Sequence, residues 1–391
     1  MSELYELPDG WELKRLDTVS TFINGRAYKK DELLDSGKYP VLRVGNFFTN
    51  NNWYYSDLEL PSDKYCDAGD LLYAWSASFG PRIWEGDKSI YHYHIWKVIP
   101  NFEFILKDYL YQFLSWDTEK IKSDKGTGTT MVHITKGSIE ERIIPLPPLP
   151  EQQRIVSKLD LLFEKIDRSI ALHVSNMNEA DAFMGSVLND VFGELEEKYE
   201  LKILGDLTKT TSGGTPKRNE KSYWGGNIGW LKSGELNDGY ITEVEEFITE
   251  DGLKKSSAKL FPKGTLLIAM YGATVGRLGI LEFETTTNQA ICGILNDKNQ
   301  FETLYMFYFL RKIREKMLKD SFGGAQPNIS QTYIKELELP LPPLQIQQKT
   351  VAYLDEISLK IEKIKQLQKE KMNSLKALKA SILDSAFRGE L

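Results

Sequence analysis

The chain has 391 residues, 41% of them apolar and 12% aromatic, with a net charge of −7, which suits a globular protein of two to four domains. Two cysteines, Cys66 and Cys292, exclude a disulfide framework or a cysteine-built zinc site and suit a reducing cytoplasm. The N-terminal Met-Ser-Glu-Leu-Tyr-Glu-Leu-Pro has no signal-peptide pattern, and no apolar run approaches the ~20 residues of a membrane span.

In chain order, an entry strand at Trp11-Glu12-Leu13-Lys14 opens a first segment, 1–144, that reads as mixed α/β with mostly short strands. Its most buried strand is expected at Leu71-Leu72-Tyr73-Ala74-Trp75, after Gly69-Asp70. Tyr91-His92-Tyr93-His94-Ile95-Trp96 reads as another strand with His92 and His94 on one face. No third ligand lies near them in the sequence, so a satisfied strand is the better reading than a metal pair. A strongly apolar helix follows at about 102–122.

Residues 145–192 then recur at 340–387 with a constant offset of 195, and 19 of the 48 aligned positions are identical. Pro145-Leu146-Pro147-Pro148-Leu149 is matched by Pro340-Leu341-Pro342-Pro343-Leu344, Gln152-Gln153 by Gln347-Gln348, and Phe192 by Phe387. Apolar residues recur in steps of three and four: Ile155, Leu159, Ile166, Val174 and onward in one copy, Leu354, Ile361, Ile364, Leu367, Leu378 and onward in the other. This spacing predicts two long helices with a coiled-coil seam, each started by prolines. About 42 residues make a rod of roughly 60 Å. Such a rod needs a partner, and its own copy running antiparallel is the natural one; packing on its own head is the alternative. Leu159, Ile166, Leu354 and Ile361 are assigned to the seam, and Gln152, Gln153, Gln347 and Gln348 to the coiled-coil or partner interface.

The second variable segment, 196–339, repeats the pattern of the first. Tyr199-Glu200-Leu201-Lys202 resembles the entry strand, Leu266-Leu267-Ile268-Ala269-Met270 the buried strand, and 301–319 the apolar helix. The fold class expected is therefore α+β. Two α/β heads, 1–144 and 196–339, are separated and joined by two long helical segments, 145–195 and 340–391, forming an antiparallel coiled coil with pseudo-two-fold symmetry.

No catalytic constellation stands out. A phosphate loop is absent, Gly272, Gly276 and Gly279 have the wrong spacing for a dinucleotide turn, and the Pro-Pro pairs lack the context of an adenine methyltransferase. The net charge is unhelpful for a nucleic-acid binder, but local patches decide such binding. Here the loops are informative. Thr215, Lys217, Arg218, Lys221, Tyr223 and Trp224 combine a glycine-rich backbone with cations and stacking rings, and Lys232 follows. Tyr271, Thr274 and Arg277, then Asn288 and Gln289, then Gln326 and Asn328 concentrate amides and hydroxyls in further turns. Amide and guanidinium groups read base edges in the major groove, whereas clustered cations seek phosphates. The first head offers Lys29, Lys30, Arg43 and Asn46, then Ser76, Ser78 and Arg82, then Lys125, Thr127 and Thr129. Singly each reads as a solvated turn; their recurrence at equivalent places of two heads puts binding on an equal footing with that reading.

The repeated Pro-Leu-Pro-Pro-Leu-x-x-Gln-Gln with its long helix, Gly214-Thr215-Pro216, Gly272-Ala273-Thr274-Val275-Gly276, Asn288-Gln289-Ala290 and Gln326-Pro327-Asn328-Ile329 resemble the specificity subunits of Type I restriction-modification systems. The first head departs from these motifs, with Ser76-Ala77-Ser78-Phe79-Gly80 and Gly126-Thr127-Gly128-Thr129-Thr130 at the corresponding places. The resemblance implies a non-catalytic subunit whose two target recognition domains each read half of a bipartite double-stranded DNA site, with the helices as spacer. It also implies two modification subunits that carry S-adenosylmethionine and methylate adenine at N6. Restriction subunits using ATP and magnesium would complete the complex, with no cofactor in this chain and no membrane involved. A self-contained methyltransferase and a purely structural adaptor are the competing classes.

Overall fold

The computed structural model describes residues 7–48, 50–76, 79–124, 134–321 and 327–391. They form two compact units, 1–173 with 369–391 and 174–368. The division falls inside both long helices, Leu149–Lys198 and Leu344–Arg388, so each unit holds one head and a part of each helix.

In the first unit, Glu12–Arg15 pairs antiparallel with Ile143–Leu146 and closes the head at its two chain ends. Between them lie two four-stranded sheets. One is antiparallel in the order Ser20–Asn24, Ile95–Pro100, Leu71–Ala74, Gly80–Ile83. The other runs Tyr54–Ser56, Tyr39–Leu42, Ser89–Tyr91, Tyr65–Cys66, with its two central strands parallel. Helix Lys107–Asp124 covers the outer face of the first sheet.

The strand Leu71–Ala74 shows why four apolar residues in a row are needed. Successive side chains leave a strand on opposite faces. Leu71 and Tyr73 enter the core under the helix, while Leu72 and Ala74 enter a second core between the two sheets. Leu266–Ala269 does the same in the second unit, with Leu266 and Ile268 on one side and Leu267 and Ala269 on the other. A strand covered on both faces cannot alternate apolar with polar.

The second unit repeats the plan. Leu201–Ile203 pairs with Glu338–Pro340. A five-stranded sheet runs Lys209–Ser212, Ile291–Leu295, Leu266–Ala269, Leu278–Leu281, Gly239–Ile241, and a four-stranded sheet runs Glu246–Ile248, Trp224–Leu231, Thr285–Thr287, Leu260–Phe261. The apolar helix is split at Ile313 into Thr303–Lys312 and Arg314–Asp320.

Within each unit the two helix segments run antiparallel beside each other and also pack on the head, so both packing alternatives are realised together. In the first unit Lys379 Nζ meets Asp167 at 2.7 Å and Arg154 Nη2 reaches the Leu391 carbonyl at 2.7 Å. In the second, Lys365 Nζ meets Asp181 at 2.8 Å. Leu159, Ile166, Leu354 and Ile361 are buried as the seam requires. Ile364 and Leu378 are about half exposed instead, because a straight helix drifts against a seven-residue repeat. The next residue, Lys365 or Lys379, faces the neighbouring helix with its ion pair. Val174 and Leu367, also half exposed, lie beyond the stretch of helix that the head covers.

The glutamines at the helix starts correct the sequence reading most. Gln152 is completely buried inside its unit. Its Nε2 donates to the carbonyls of Phe104 at 2.7 Å and Pro147 at 2.8 Å, and its Oε1 accepts from the Leu106 amide at 2.9 Å. Gln347 repeats the clamp: Nε2 donates to Pro342 O and Oε1 accepts from the Glu302 amide, both at 2.8 Å. A side chain buried and hydrogen-bonded inside the unit is not presented to a partner; of the four glutamines, Gln153 and Gln348 are the exposed ones. Tyr109 and Tyr305 brace the same joint, each donating its hydroxyl at 2.8 Å to a proline carbonyl, Pro145 or Pro340. Phe387 packs on Tyr109, Phe113 and Trp116, and Phe192 on Tyr305 and Phe309, with ring centroids 5.1–5.6 Å apart.

Replacing Gln152 by leucine strands a buried amide and two carbonyls, so it should cost about 1–3 kcal/mol or more of stability. Gln153→Leu, on the exposed face, should stay within about 0.5 kcal/mol. Equal melting temperatures for the two variants would refute the clamp.

Candidate nucleic-acid interface

Four segments of the second head converge on one corner through main-chain hydrogen bonds. The Gly214 amide donates to Thr287 O at 2.9 Å, Met270 to Ala290 O at 2.7 Å, and Ile329 to Met270 O at 2.9 Å. Residues 213–215, 270–274, 287–290 and 327–329 are thereby fixed relative to one another. The crossing is tight: a Cβ at Gly213 would collide with Thr287 and the Asn288 carbonyl, which is why glycine stands there. Thr215 donates its hydroxyl to Gln289 Oε1, and Gln289 itself is exposed. Asn288 Oδ1 caps the turn by accepting from the Ala290 amide at 3.2 Å. Tyr271 is 40% exposed and bridges Asn328 through the main chain; Thr274 donates to the Tyr271 carbonyl at 3.0 Å. Arg277, just beyond, is exposed.

Beside this corner the Arg218 guanidinium lies over the rings of Trp224 and Trp230, 3.9 and 4.5 Å from their centroids, and pairs with Glu246. Trp224 donates to Lys217 O at 3.1 Å and Trp230 to Gly214 O at 2.9 Å, so the indoles hold the glycine-rich loop. Lys232 is engaged with Glu245 and Glu246 at 2.8 and 3.2 Å. Tyr223 lends its carbonyl to the Thr249 amide at 3.0 Å. Lys217 and Lys221 are exposed. Arg218 and Lys232 thus also serve the loop's own structure, a role the sequence does not show because Glu245 and Glu246 come back beside them only in the fold.

The first head has the same corner, built by the same bonds. Gly25 donates to Ile95 O as Gly213 does to Ile291 O, both at 3.1 Å, and Arg26 donates to Tyr91 O at 3.0 Å as Gly214 does to Thr287 O. A Cβ at Gly25 would collide with the Tyr91 and His92 carbonyls. Trp75 donates to His94 O at 3.0 Å and Ile134 to Trp75 O at 3.2 Å, matching Met270 and Ile329. Of the residues expected here, Lys29, Lys30 and Arg43 are exposed, Arg43 lying 5.2 Å from the Tyr54 ring centre. Two others hold loops together, and a third is buried. Asn46 Nδ2 donates to the carbonyls of Asn50 and Asn52, Arg82 to Phe47 O at 2.6 Å, and Ser76 is buried. Ser78, Lys125, Thr127, Thr129 and Gln326 lie outside the described residues.

The profile of the Type I restriction modification DNA specificity domain matches residues 8–173 and again 196–371. The chain belongs to this family. It is 33% identical over 173 residues to the MjaIX specificity subunit of Methanocaldococcus jannaschii, covering 42% of this chain and 40% of that one. With the EcoBI specificity subunit of Escherichia coli it shares 22% identity over 99% of its length and 88% of the relative's. A chain from a structural study of complex assembly and conformational transition of the type I R-M system superposes with a TM-score of 0.73, at 24% identity, over 99% of this chain and 100% of that one, a likeness of fold.

Within this specificity family member, His92-Tyr93-His94 occupies the place of Asn288-Gln289-Ala290, and the sequence reading missed it. The segment is no continuous strand. Ile95 donates to His92 O at 2.9 Å, which closes a turn over Tyr93 and His94 and lifts them off the sheet. Counting back from the matched strands Ile95–Pro100 and Ile291–Leu295 would have aligned the two triplets. Among the described residues no group of three or more His, Cys, Asp or Glu could hold a metal ion, and no helix is long and apolar enough to cross a membrane. Burial pushes the thiols of Cys66 and Cys292 up to about 12, so both stay protonated.

Burial, with His94 and Arg43 nearby, lowers the His92 imidazole from 6.5 to about 4. A depressed histidine binds its proton more weakly in the folded chain, so its contribution to stability is present above pH 6.5 and lost as pH falls toward 4. The drop in melting temperature between pH 7.5 and 4.5 should be smaller in His92→Asn than in the wild type; equal drops would refute this. For the cations, Lys221→Ala should weaken binding to all duplexes alike and reduce the salt slope by about one. Arg218→Ala should instead change the tryptophan fluorescence of the free protein. Anisotropy titrations at several salt concentrations and emission spectra separate the two.

Proposed function

We propose that this chain selects DNA for a Type I restriction-modification complex. Each head reads one half of a bipartite, asymmetric duplex site, and the long helices set the gap between the halves. Two modification subunits dock on the helices and heads, carry S-adenosylmethionine and methylate one adenine per half-site at N6. Restriction subunits join them and use ATP and magnesium to translocate and cleave. The chain itself supplies binding and positioning rather than catalysis, and it works in the cytoplasm on double-stranded DNA.

The observation that supports this reading best is the pair of corners. One backbone arrangement, stitched by equivalent hydrogen bonds, presents Asn288-Gln289-Ala290 in one head and His92-Tyr93-His94 in the other. A reader of two unlike words needs a constant frame with variable side chains at its edge. A structural adaptor needs neither, and would have no use for tight glycine crossings that hold exposed side chains in place.

Exchanging residues 1–144 for the corresponding head of a related subunit should change one half of the methylated motif and leave the other half and the gap intact. Inserting four residues into both long helices, about 6 Å or one turn, should lengthen the gap without altering either word. Methylome sequencing of a host carrying each variant reads both outcomes. If both halves changed together after the head exchange, the heads would not be independent readers.

A further inference from the structure

We propose that Tyr93, carried on the turn His92-Tyr93-His94 and braced by Trp75, is the residue with which the first head discriminates a base of its half-site. The inference rests on the DNA-reading function proposed above and assigns it a residue in the head whose motifs depart from the family.

Three observations carry it. The first is position. Trp75, His92, His94 and Ile134 stand on the bonds that Met270, Asn288, Ala290 and Ile329 make in the other head, so Tyr93, between His92 and His94, takes the place of the exposed Gln289. The second is rigidity. The Tyr93 amide donates to Arg26 O at 3.1 Å, and its carbonyl accepts from the Trp75 indole at 2.8 Å. Both main-chain valences are spent, so the side chain leaves a fixed point. The third is the ring ladder behind it. Trp96, 2% exposed, stacks with Trp75 at 5.9 Å; Trp75 meets His94 at 4.8 Å and Tyr93 at 6.0 Å; Tyr93 and His94 are 3.9 Å apart. At the outer end of this ladder Tyr93 is 39% exposed, a large ring held half out of the protein by rings that run into the core.

The chemistry of such a group is specific. A phenol offers a ring to a thymine methyl and one hydroxyl that donates to or accepts from a base edge. It carries no charge, so it contributes discrimination without counterion release. Cations suited to the DNA backbone are available on the same head, where Arg43, Lys29 and Lys30 are exposed. An amide at the equivalent place would suit adenine, which two hydrogen bonds identify in the major groove. The two heads therefore differ in kind at this position, aromatic against amide.

The test incubates the full chain with its modification subunits and a pool of randomised duplexes, then sequences the bound fraction. The wild type should enrich two words at a fixed spacing. Tyr93→Ala should lose about tenfold of its discrimination at one base position of one word, with the other word and the salt slope unchanged. Gln289→Ala should affect only the other word. Tyr93→Gln, which installs the amide of the second head on an exposed turn, should keep an enriched word but alter the preferred base. A wild-type word that both Tyr93 variants leave intact overturns this assignment alone, and so does equal blurring of both words. A wild-type pool with no enriched word overturns the DNA-reading function, and the assignment with it.

Discussion

The joint that everything else hangs on is a single buried amide, Gln152 in the first unit and Gln347 in the second. An uncharged side chain with one acceptor and a two-hydrogen donor group is the right tool for a place where chain segments meet and leave main-chain groups unpaired. The turn that enters the apolar helix offers an amide and, in the first unit, a carbonyl; the proline run that starts the long helix offers another carbonyl. Proline runs have no amides of their own to close such a joint. Once the glutamine ties the pieces, the long helix leaves the head in a fixed direction. The aromatic socket formed by Tyr109 and Phe113, or Tyr305 and Phe309, then receives the terminal phenylalanine of the other helix.

This explains why the repeat has the identities it has. The start of each copy serves the clamp, and its end serves a socket, so both ends are under the same geometric demand in both copies. The middle is held more loosely. There the requirement is for a buried stripe and an occasional ion pair, and different residues meet it in the two copies: Asp181 with Lys365, Asp167 with Lys379. These pairs are partly exposed and add little to stability, but they favour one register of the two helices over its neighbours.

The corners of the two heads show how one frame carries two different surfaces. Much of what the main chain does there is common: the glycine crossing, the ladder bond from Gly25 or Gly213, the bond from Trp75 or Met270. The side chains are not constrained by that scaffold and differ in chemistry, amide and hydroxyl against imidazole and phenol. The charges follow suit. Despite a net charge of −7, cations are gathered locally and several are engaged with nearby acids, so the surfaces are tuned by position rather than by bulk charge.

Much of this was legible in the sequence. The duplication, the two long helices, the entry strands and the buried strands Leu71–Ala74 and Leu266–Ala269 follow from periodicity and from matching one half against the other, because burial on a helix stripe or a covered strand is a local demand that composition records directly; that each entry strand closes on the residues just before the long helix is seen only in the structure. The loops around Thr215, Gln289 and Asn328 were recognisable for the same reason, since they concentrate residue types that do little in a core. Tertiary structure decided what those residue types are for. Gln152 reads as an interface residue until the turn at 104–106 and the proline run are seen to close around it. Arg218 and Lys232 look like free cations until Glu245 and Glu246 return beside them. His92 and His94 look like a strand until the turn at Tyr93 lifts them to the edge. Most of the deciding partners, such as Phe104 and Leu106 for Gln152, Glu246 for Arg218, and Arg26 and Trp75 for the Tyr93 turn, lie away from their residue in the chain, and hydrogen bonding and desolvation depend on distance in space, which a sequence does not record.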